Sequence, residues 1–413
     1  MRITVLAMGS RGDVQPFIAI AYRLQQTGYS VEVAANIDFE GLIRSYGLKF
    51  ISLGANTQDL LYTPEGQKMI QSGNFLAGLQ YYRKHARKQM MDVQQASWKA
   101  CQGTDLLIYS GLQLWGGSIA EKLRIAAYPV FLIPFFPTRE FPVAQGHFPD
   151  TSVLNPLSHH LLLQSTWMLF RPAINEFRTQ TLGMPPIPGN YKCVFGQKNS
   201  PVFFAYSPHV LPHPSDWPSR AVVVGYCFLP PPPNWQPSHE LQGFLASGPP
   251  PIYIGFGSMA DRNAQQKTRM VLEAIKKTGQ RAILHRGWGG LEADKLPPGV
   301  FMIDSVPHDW LFERVSLVVH HGGAGTTAAG LRAGIPGLLV PHFADQYFWG
   351  DRVYKLGSGM PPIPLTGLST DRLASSINRA LNETPLKEKA AALGKLIRAE
   401  DGVGNILRKI GCV

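Results

Sequence analysis

The segment of residues 318–334, VVHHGGAGTTAAGLRAG, has the composition of a phosphate-binding turn. Glycines let a ligand approach the backbone closely, and the unpaired N–H groups at a helix start attract an anion together with the helix dipole. The residues placed to contact a diphosphate here are His321, Gly323, Gly325, Thr326 and Thr327. The same composition also fits a glycine-rich tight turn that binds nothing. Neither the Walker A pattern nor GxGxxG fits the segment, so P-loop and classical dinucleotide sites lose weight.

A carboxylate stands after the first predicted strand, in GSRGDVQP (residues 9–16). Asp13 lies at the mouth of the predicted sheet, where a general base would be useful. Asp is also favoured at helix N-termini, and Pro16 follows three residues later, so a capping role is equally open. Arg11 beside it either points at a phosphate or is solvated.

Two further turns follow predicted strands. In PHFADQ, residues 341–346, Asp345 and Gln346 offer hydrogen bonds in two directions, as the vicinal hydroxyls of a sugar require. In GFGSM, residues 255–259, Ser258 and nearby amides are offered to a phosphate. A helix cap is the alternative for Asp345, and GFGSM alone is a weak signal.

The sequence gives little evidence for a metal site or for a hydrolase active site. His320 and His321 are neighbours on a predicted strand, so their side chains point to opposite faces and do not easily ligate one ion. The sequence has no second cluster with metal-ligand spacing and no nucleophile elbow of the GxSxG type. We therefore expect neither a metal site nor a hydrolase triad.

Strands and helices alternate along the chain, which indicates parallel sheets with helices on both faces. In the first half we predict strands at 3–7, 31–35, near Phe50, 105–109, 202–205 and 221–224, and helices at 14–27, 75–101 and 157–182. In the second half we predict strands at 252–256, 281–285, 300–303, 317–320 and 337–341, and helices at 264–278, 325–333 and near Asp345, Thr370 and Leu386. These are two doubly wound halves, and ligands of such sheets bind at the carboxyl ends of strands.

Composition bounds the class of protein. The 413 residues are 45% hydrophobic and only 16% charged, with 41 Gly and 34 Pro, which fits a large α/β enzyme rather than a disordered, collagen-like or coiled-coil chain. The net charge of +11 favours anionic partners without choosing among phosphorylated ligands, acidic membranes and nucleic acid. Four scattered cysteines indicate neither zinc nor a disulfide framework. With no signal-peptide pattern and no membrane-spanning stretch, we expect a cytoplasmic protein, soluble or peripheral to a membrane.

Taken in order, GSRGDVQP, GFGSM, VPHDWLF, HHGGAGTT and PHFADQYFWGDRV resemble the motifs of nucleotide-sugar-dependent glycosyltransferases of the GT-B fold. The branch that they resemble holds the sterol 3-β-glucosyltransferases and the glycopeptide-antibiotic glucosyltransferases. The resemblance covers nearly the whole chain, and five motifs in the right order are far more specific than any one of them. It implies an α/β fold of two doubly wound, Rossmann-like parallel-sheet domains that face a central cleft.

The resemblance also implies a domain layout. We expect an N-terminal acceptor-binding domain in residues 1–228 and a C-terminal nucleotide-sugar-binding domain in residues 241–385. The proline-rich linker of residues 229–240 joins them, because its prolines stiffen the chain and prevent sheet pairing. Residues 386–413 are expected to form a helical tail that packs back on the N-terminal domain.

The chemistry that the resemblance implies is inverting and independent of metal and cofactor, with UDP-glucose as co-substrate. The acceptor hydroxyl loses its proton as it attacks the anomeric carbon, and the nucleoside diphosphate leaves. Asp13 matches the catalytic base of the family. The donor-side matches are Arg11 and Ser258 for phosphate, His321, Gly323, Gly325, Thr326 and Thr327 for the diphosphate, Asp345 and Gln346 for the sugar, and the Val306 backbone for the uracil.

One position departs from the family pattern. The plant branch has a base-stacking Trp where this chain has Ser305, so Trp288 and Trp310 are candidates to cover the base. The choice of uridine over thymidine therefore rests on analogy.

The acceptor is expected to be hydrophobic. Apolar residues between Phe131 and Phe170 suit a sterol-sized acceptor, although more than half of them should form the domain's own core. The candidate acceptor contacts are Ser10, Phe136, Arg139 and Phe141. The basic segment 81–91, YYRKHARKQMM, either docks on anionic lipid or is a solvated face. No nucleic-acid recognition module is found, so no nucleic-acid partner is expected.

The sequence thus predicts glucose transfer from UDP-glucose to a hydroxyl of a hydrophobic acceptor such as a sterol. A same-fold transferase for a soluble polyketide, glycopeptide or carotenoid aglycone, using a UDP- or dTDP-sugar, is the first alternative. A UDP-sugar 2-epimerase shares the architecture, but Asp13 would have no comparable part in its reaction. A non-catalytic nucleotide-sugar or lipid-binding protein is the remaining alternative.

Overall fold

The computed structural model describes two compact units. The residues described are 1–54, 87–144, 150–191, 195, 200–257, 264–287, 291 and 295–413. The first unit comprises Met1–Leu229 and Asp401–Val413, and the second comprises Pro230–Glu400. Each unit is built around its own parallel β-sheet.

The first unit alternates strands and helices from its beginning. In chain order the elements of residues 1–229 are β1 (Arg2–Leu6), α1 (Arg11–Gln26), β2 (Ser30–Ala35), a 3-10 turn (Ile37–Phe39), α2 (Glu40–Arg44), β3 (Lys49–Ser52), α3 (Arg87–Ala100), β4 (Leu106–Ser110), α4 (Gly116–Leu123), β5 (Ala126–Phe131), α5 (Leu154–Glu176), a π turn (Phe177–Thr181), β6 (Val202–Phe204) and β7 (Ala221–Val223). The sheet order is β3-β2-β1-β4-β5-β6-β7, with every pair parallel. Strands β1 and β4 are almost entirely buried because helices cover both faces of the sheet.

The second unit repeats this architecture. Its elements are α6 (His239–Ala246), β8 (Ile252–Gly255), α7 (Ala264–Thr278), β9 (Ala282–His285), β10 (Val300–Ile303), α8 (His308–Phe312), β11 (Leu317–His320), α9 (Ala324–Ala333), β12 (Gly337–Leu339), α10 (Gln346–Lys355), a 3-10 turn (Leu365–Gly367), α11 (Thr370–Asn382) and α12 (Thr384–Arg398). The sheet order is β10-β9-β8-β11-β12, again all parallel. Helices α7 and α11 pack on it through an aliphatic core.

In both sheets the strand order reverses at an equivalent place. In each unit the chain moves outward from the first strand to one edge, then returns to the other side of that strand. The order therefore switches between β1 and β4 in the first unit and between β8 and β11 in the second. Ligands of doubly wound sheets bind outside the carboxyl ends of the strands at this switch point. The turns that follow these four strands are thus the positions at which the fold places a site.

The last helix of the chain belongs to the first unit. Helix α13 (Gly402–Lys409) packs against α1, and Asn405 Nδ2 donates to the carbonyl oxygen of Val224 at 2.8 Å. Helix α12 instead packs against α9 in the second unit. The predicted tail of residues 386–413 is therefore divided between the two units, and the chain passes from the first unit to the second after Leu229, inside the proline-rich stretch.

Candidate functional site

The turn that follows β11 encloses an imidazole between two glycines. A Cβ added to Gly257 would lie 2.5 Å from His321 Cε1, and one added to Gly323 would lie 2.5 Å from His321 Nε2. Gly257 also has a φ of +66°, which favours glycine. The turns after β8 and β11 are therefore in direct contact at the switch point. Ser258, the predicted phosphate contact after β8, lies outside the described residues.

Helix α9 begins with backbone amides that no side chain caps. Its N-cap is Gly323, which has an extended backbone and no side-chain hydrogen bond to offer the first turn. The first N–H groups of an α-helix have no intrahelical acceptor, so this end offers donors to an anion. Gly325 is exposed and Thr326 is partly exposed, whereas the buried Thr327 donates its hydroxyl to the carbonyl oxygen of Gly323 at 2.9 Å. The Thr327 hydroxyl proton is thus used inside the helix.

The turn after β12 packs beside these two turns. A Cβ added to Gly322 would lie 3.0 Å from the carbonyl oxygen of Gln346, so the turns after β11 and β12 touch. Gln346 is buried, and its Oε1 accepts from the N–H groups of His342 at 2.8 Å and Phe343 at 3.2 Å. These two bonds fix the orientation of the side-chain amide. The second predicted sugar contact is therefore held rigidly by its own loop.

Asp345 is held in the same turn by a tryptophan. The indole Nε1 of Trp349, which is buried on α10, donates to Asp345 Oδ2 at 3.0 Å. Ala344, immediately before it, has a φ of +53°, a left-handed conformation that is strained for a residue with a Cβ. Both features constrain where the carboxylate points.

A buried lysine adjoins the same turns and was not anticipated from the sequence. Lys267, in the first turn of α7, is only 4% exposed, and its Nζ lies 3.4 Å from His342 Nε2 and 5.0 Å from the centre of the Phe256 ring. The Nδ1 of His342 lies 2.8 Å from the carbonyl oxygen of Val340, which assigns its proton to Nδ1 and leaves Nε2 to accept from the lysine. A buried cation beside an open helix N-terminus adds to the attraction for an anion. The sequence carries no signal for it, since His342 is 75 residues away.

His320, the last residue of β11, and His321, which follows it, are neutral near physiological pH. Burial lowers the pKa of His320 to about 3, and burial together with the neighbouring His285 and Lys267 lowers the pKa of His321 to about 4. His320 Nδ1 accepts from the N–H of Gly322 at 3.1 Å. His321 Nδ1 is buried and has no hydrogen-bond partner among the residues described. A neutral imidazole with an unpaired nitrogen is able to hydrogen-bond a ligand without contributing charge.

The predicted base-binding residues lie after β10. Val306 packs against the apolar cluster of α6, α8 and β11, and Ser305 is exposed. Trp310, a candidate to cover the base, already contacts protein groups: Trp235 meets it edge-on at 5.3 Å and the Arg314 guanidinium lies 4.3 Å from its ring centre. The other candidate, Trp288, lies outside the described residues.

The turn after β1 in the first unit places Asp13 at the N3 position of α1. Both recorded hydrogen bonds of the carboxylate fall on Oδ2, which accepts from the Ser10 N–H at 2.7 Å and from the Ser10 hydroxyl at 2.8 Å. Gly9 has a φ of +124°, and a Cβ there would lie 2.6 Å from Asp13 Oδ2. The capping role left open by the sequence is therefore real, and it occupies one oxygen. Among the described residues Oδ1 receives no hydrogen bond.

Burial makes this carboxylate a stronger base than an ordinary aspartate. Desolvation raises the pKa of Asp13, and the two hydrogen bonds from Ser10 only partly offset that increase. Arg11, two residues before Asp13, is half-buried, with its Nε 3.4 Å from Gln15 Oε1.

The candidate acceptor residues occupy different environments. Phe136 is 7% exposed and stacks on Phe195 with ring centres 4.1 Å apart, so it belongs to an internal aromatic cluster. Phe141 is also buried and packs edge-on against His159. Arg139 is exposed, and its N–H donates to Asp216 at 2.9 Å. The two phenylalanines thus line the interior of the unit rather than an open surface.

Within the described ranges, no three His, Cys, Asp or Glu side chains are grouped so as to hold a metal ion. Three cysteines in those ranges, Cys101, Cys227 and Cys412, are buried free thiols, whereas Cys193 lies outside them. None of the helices described combines the length and apolar character that crossing a bilayer requires.

Family comparisons agree with this architecture. The profile of the glycosyltransferase family 28 N-terminal domain matches residues 3–142, and that of the erythromycin biosynthesis protein CIII-like C-terminal domain matches residues 269–406. With two Rossmann-like sheets and these two matches, the chain belongs to the GT-B glycosyltransferases. The fold and the family predicted from the five motifs are therefore confirmed.

Within this class the chain is similar to sterol 3-beta-glucosyltransferases. It is 39% identical to UGT80B1 of Arabidopsis thaliana over 98% of this chain and 66% of that protein. It is 37% identical to UGT80A2 of the same plant, over 99% of this chain and 65% of that protein. It is 34% identical to the sterol 3-beta-glucosyltransferase of Pichia angusta, over 99% of this chain and 33% of that protein. The chain thus spans slightly less than two thirds of the plant relatives and a third of the yeast one.

Solved structures share the fold at low identity. The glycosyltransferase of kitacinnamycin superposes with a TM-score of 0.71 at 16% identity, covering 99% of this chain and 97% of that one. The glycosyltransferase SnogD from Streptomyces nogalater superposes with a TM-score of 0.69 at 19% identity, covering 100% of this chain and 99% of that one. The glycosyltransferase VinC, solved in complex with dTDP, superposes with a TM-score of 0.70 at 17% identity, covering 100% of this chain and 99% of that one.

The buried histidines predict acid sensitivity. Unfolded histidines protonate near pH 6.5, whereas His321 in the folded chain does so only at about pH 4, so the unfolded state binds more protons between these values. Stability should therefore fall as the pH is lowered from about 6.5 to 4. We expect His321→Gln to lose less stability over this window than the wild type in urea titrations. His239→Gln, an exposed control on α6, should match the wild type, and equal slopes in all three proteins would contradict the assignment.

Proposed function

We propose that the chain transfers glucose from UDP-glucose to a hydroxyl of a hydrophobic, sterol-like acceptor, with inversion and without a metal or cofactor. The observation that carries the proposal is the meeting of three turns around His321, at the carboxyl edge of the second sheet. The class of acceptor is taken from the sterol glucosyltransferases to which nearly the whole chain is similar.

The positive potential at the second switch point supports the assignment of this region as the donor site. A nucleoside diphosphate gains negative charge as it leaves, and preorganised donors stabilise that charge best. The open amides of α9, the dipole of that helix and the buried Lys267 supply positive potential, while His321 contributes an uncharged hydrogen bond. Asp345 and the rigidly held Gln346 then bind the glucose hydroxyls.

The acceptor half assigns a proton transfer to Asp13. The acceptor oxygen forms its bond to the anomeric carbon as the bond from that carbon to the diphosphate oxygen breaks. The hydroxyl proton passes to the Asp13 carboxylate, and UDP departs with the electron pair. Ser10 holds Oδ2, which leaves Oδ1 for this proton, and the raised pKa of Asp13 strengthens it as a base.

An apolar helix surface supports an acceptor drawn from a membrane. One narrow face of α5 and its N-cap carries five exposed apolar side chains, which are Val153, Leu154, Leu157, Leu161 and Met168. Arg87, in the described part of the basic segment 81–91, pairs with Glu176 at the end of the same helix at 2.9 Å. Residues 81–86 of that segment lie outside the described residues. An exposed apolar helix face suits peripheral contact with a membrane surface.

The proposal is tested by assaying transfer of labelled glucose. We expect incorporation from UDP-glucose into sterols in the presence of a chelator, with loss of label when the sterol 3-hydroxyl is replaced by hydrogen. Because Ser305 stands where the plant branch has tryptophan, dTDP-glucose should be assayed in parallel. Turnover of a soluble polyketide or glycopeptide aglycone, with no incorporation into any sterol, would sink the sterol assignment.

Asp13→Asn should separate catalysis from donor binding. The asparagine still accepts the Ser10 N–H bond, so the start of α1 is retained, but no base remains and transfer should fall by about 10²–10⁴-fold. UDP affinity measured by calorimetry should stay within about twofold. Since burial raises the pKa of Asp13, the ionised carboxylate costs stability at neutral pH, and the variant should be at least as stable as the wild type.

The control for this variant is Asp92→Asn, which changes an exposed carboxylate on α3. It should leave transfer and stability unaltered. The wild-type pH profile of kcat/KM should fall on the acid side with an apparent pKa above the ordinary Asp value of about 3.9. Full transfer by Asp13→Asn would refute the role of this residue as the base.

His321→Ala should weaken donor binding. Loss of one hydrogen bond inside an enclosed site predicts a decrease of about tenfold in UDP affinity. His239→Ala removes an imidazole from the exposed surface of the same unit and should bind UDP like the wild type. Calorimetry showing equal affinities for all three proteins would remove His321 from the donor site.

A further inference from the structure

A buried glutamine lies across the first switch point from Asp13. Gln113 is in the turn after β4, the strand that pairs with β1 in the register Leu6↔Tyr109. Its side chain is completely buried. Neither Oε1 nor Nε2 of this amide has a hydrogen-bond partner in the part of the chain that the structure describes. Buried amides are nearly always paired, so an unpaired one in a turn at the carboxyl edge of a sheet is a candidate ligand contact.

The backbone around Gln113 is fixed, so its side chain is not free to seek a partner by moving the turn. The N–H of Gln113 donates to the carbonyl oxygen of Ser110 at 2.8 Å, and its own carbonyl accepts from Gly116 at 2.8 Å. The N–H of Gly111 donates to Val130 at the end of β5 at 2.9 Å. A Cβ on Gly111 would overlap the Phe131 ring, which shows how closely the turn is packed. The main chain is thus satisfied while the side-chain amide is left without a bond.

The turns after β1 and β4 are close neighbours. Met8, which precedes the Asp13 turn, and Trp115, which follows Gln113, pack into the same apolar cluster. Adjacent parallel strands are about 4.8 Å apart, so both turns reach the same part of the carboxyl edge. The turns that carry Asp13 and Gln113 therefore follow two neighbouring strands at the same edge of the sheet.

We propose that Gln113 binds the acceptor hydroxyl that Asp13 deprotonates. An amide offers one kind of donor and one kind of acceptor, which is the complement of a hydroxyl. A hydroxyl that gives its proton to a carboxylate keeps lone pairs that accept the N–H of Nε2. This inference rests on the proposed glycosyl transfer and adds the residue that orients the alcohol.

The chain offers a matched control for this proposal. Gln94, on α3, is also fully buried, and neither of its side-chain amide atoms has a hydrogen-bond partner among the described residues, but it lies inside a helix rather than after a strand. Gln113→Leu and Gln94→Leu each replace an unpaired amide by an apolar group of similar size. Neither should lower Tm, and each should raise it by up to about 2–4 °C.

Only Gln113→Leu should affect the acceptor. We expect its kcat/KM for the acceptor to fall by about tenfold or more, with UDP affinity unchanged, and we expect it to lose the rise in Tm that the acceptor alone produces in the wild type. Gln94→Leu should keep wild-type values for all three measurements. Gln113→Asn, which retains a shorter amide, should recover part of the acceptor dependence.

Three results would overturn the inference: an unaltered acceptor KM and Tm shift in Gln113→Leu, an equal loss in Gln94→Leu, or a loss of UDP affinity in step with acceptor use. The assay runs with whichever alcohol the wild type glucosylates. Failure of the sterol assignment is read from the wild type alone, whereas failure of the Gln113 assignment is read from the difference between the two leucine variants.

Discussion

The enclosure of the His321 imidazole between Gly257 and Gly323 is the constraint on which the donor side of the molecule depends. Any side chain at either glycine would occupy the space of the ring, so the two turns approach each other only because neither has a Cβ. That approach brings the end of β8 to the start of α9. It also leaves the first amides of α9 uncapped, since a glycine N-cap has no side chain to offer them. The missing Cβ at Gly323 therefore explains both the close packing against His321 and the uncapped amides at the start of α9.

Much of the fold follows from local sequence, and the exceptions have physical reasons. Helix α7 coincides with its predicted bounds, because its apolar residues recur at helical spacing. Strand β5 was not assigned, since Pro129 lies within it and proline argues against a central strand. Helix α8 has only five residues, too few to show a period. The predicted helix 75–101 is described only from Arg87 onward.

Some residues of the candidate site could likewise be predicted from the sequence, and others could not. Turn composition places Asp13, His321 and Asp345 at strand ends, because glycine and helix-start signals are local. The contacts of Lys267 with His342 and of Trp349 with Asp345 arise when separate elements are packed together, and only the first is distant in sequence. Burial is the property that sequence reports least well. Phe136 and Phe141 suited an acceptor by type, yet both are internal, whereas Gln113 had no signal at all.

The two units use the same sheet order to meet opposite electrostatic demands. At the second switch point, backbone amides and a buried cation favour an anion, as the proposed leaving diphosphate requires when its charge grows. At the first, a desolvated carboxylate and an amide without a partner among the described residues suit the neutral hydroxyl that loses its proton in the proposed reaction. Within the described residues, His321 Nδ1 at the second switch point and the Gln113 amide at the first have no hydrogen-bond partner, and such groups lower stability. Their position at the two switch points, where substrates are expected to complete them, is therefore better explained by function than by folding.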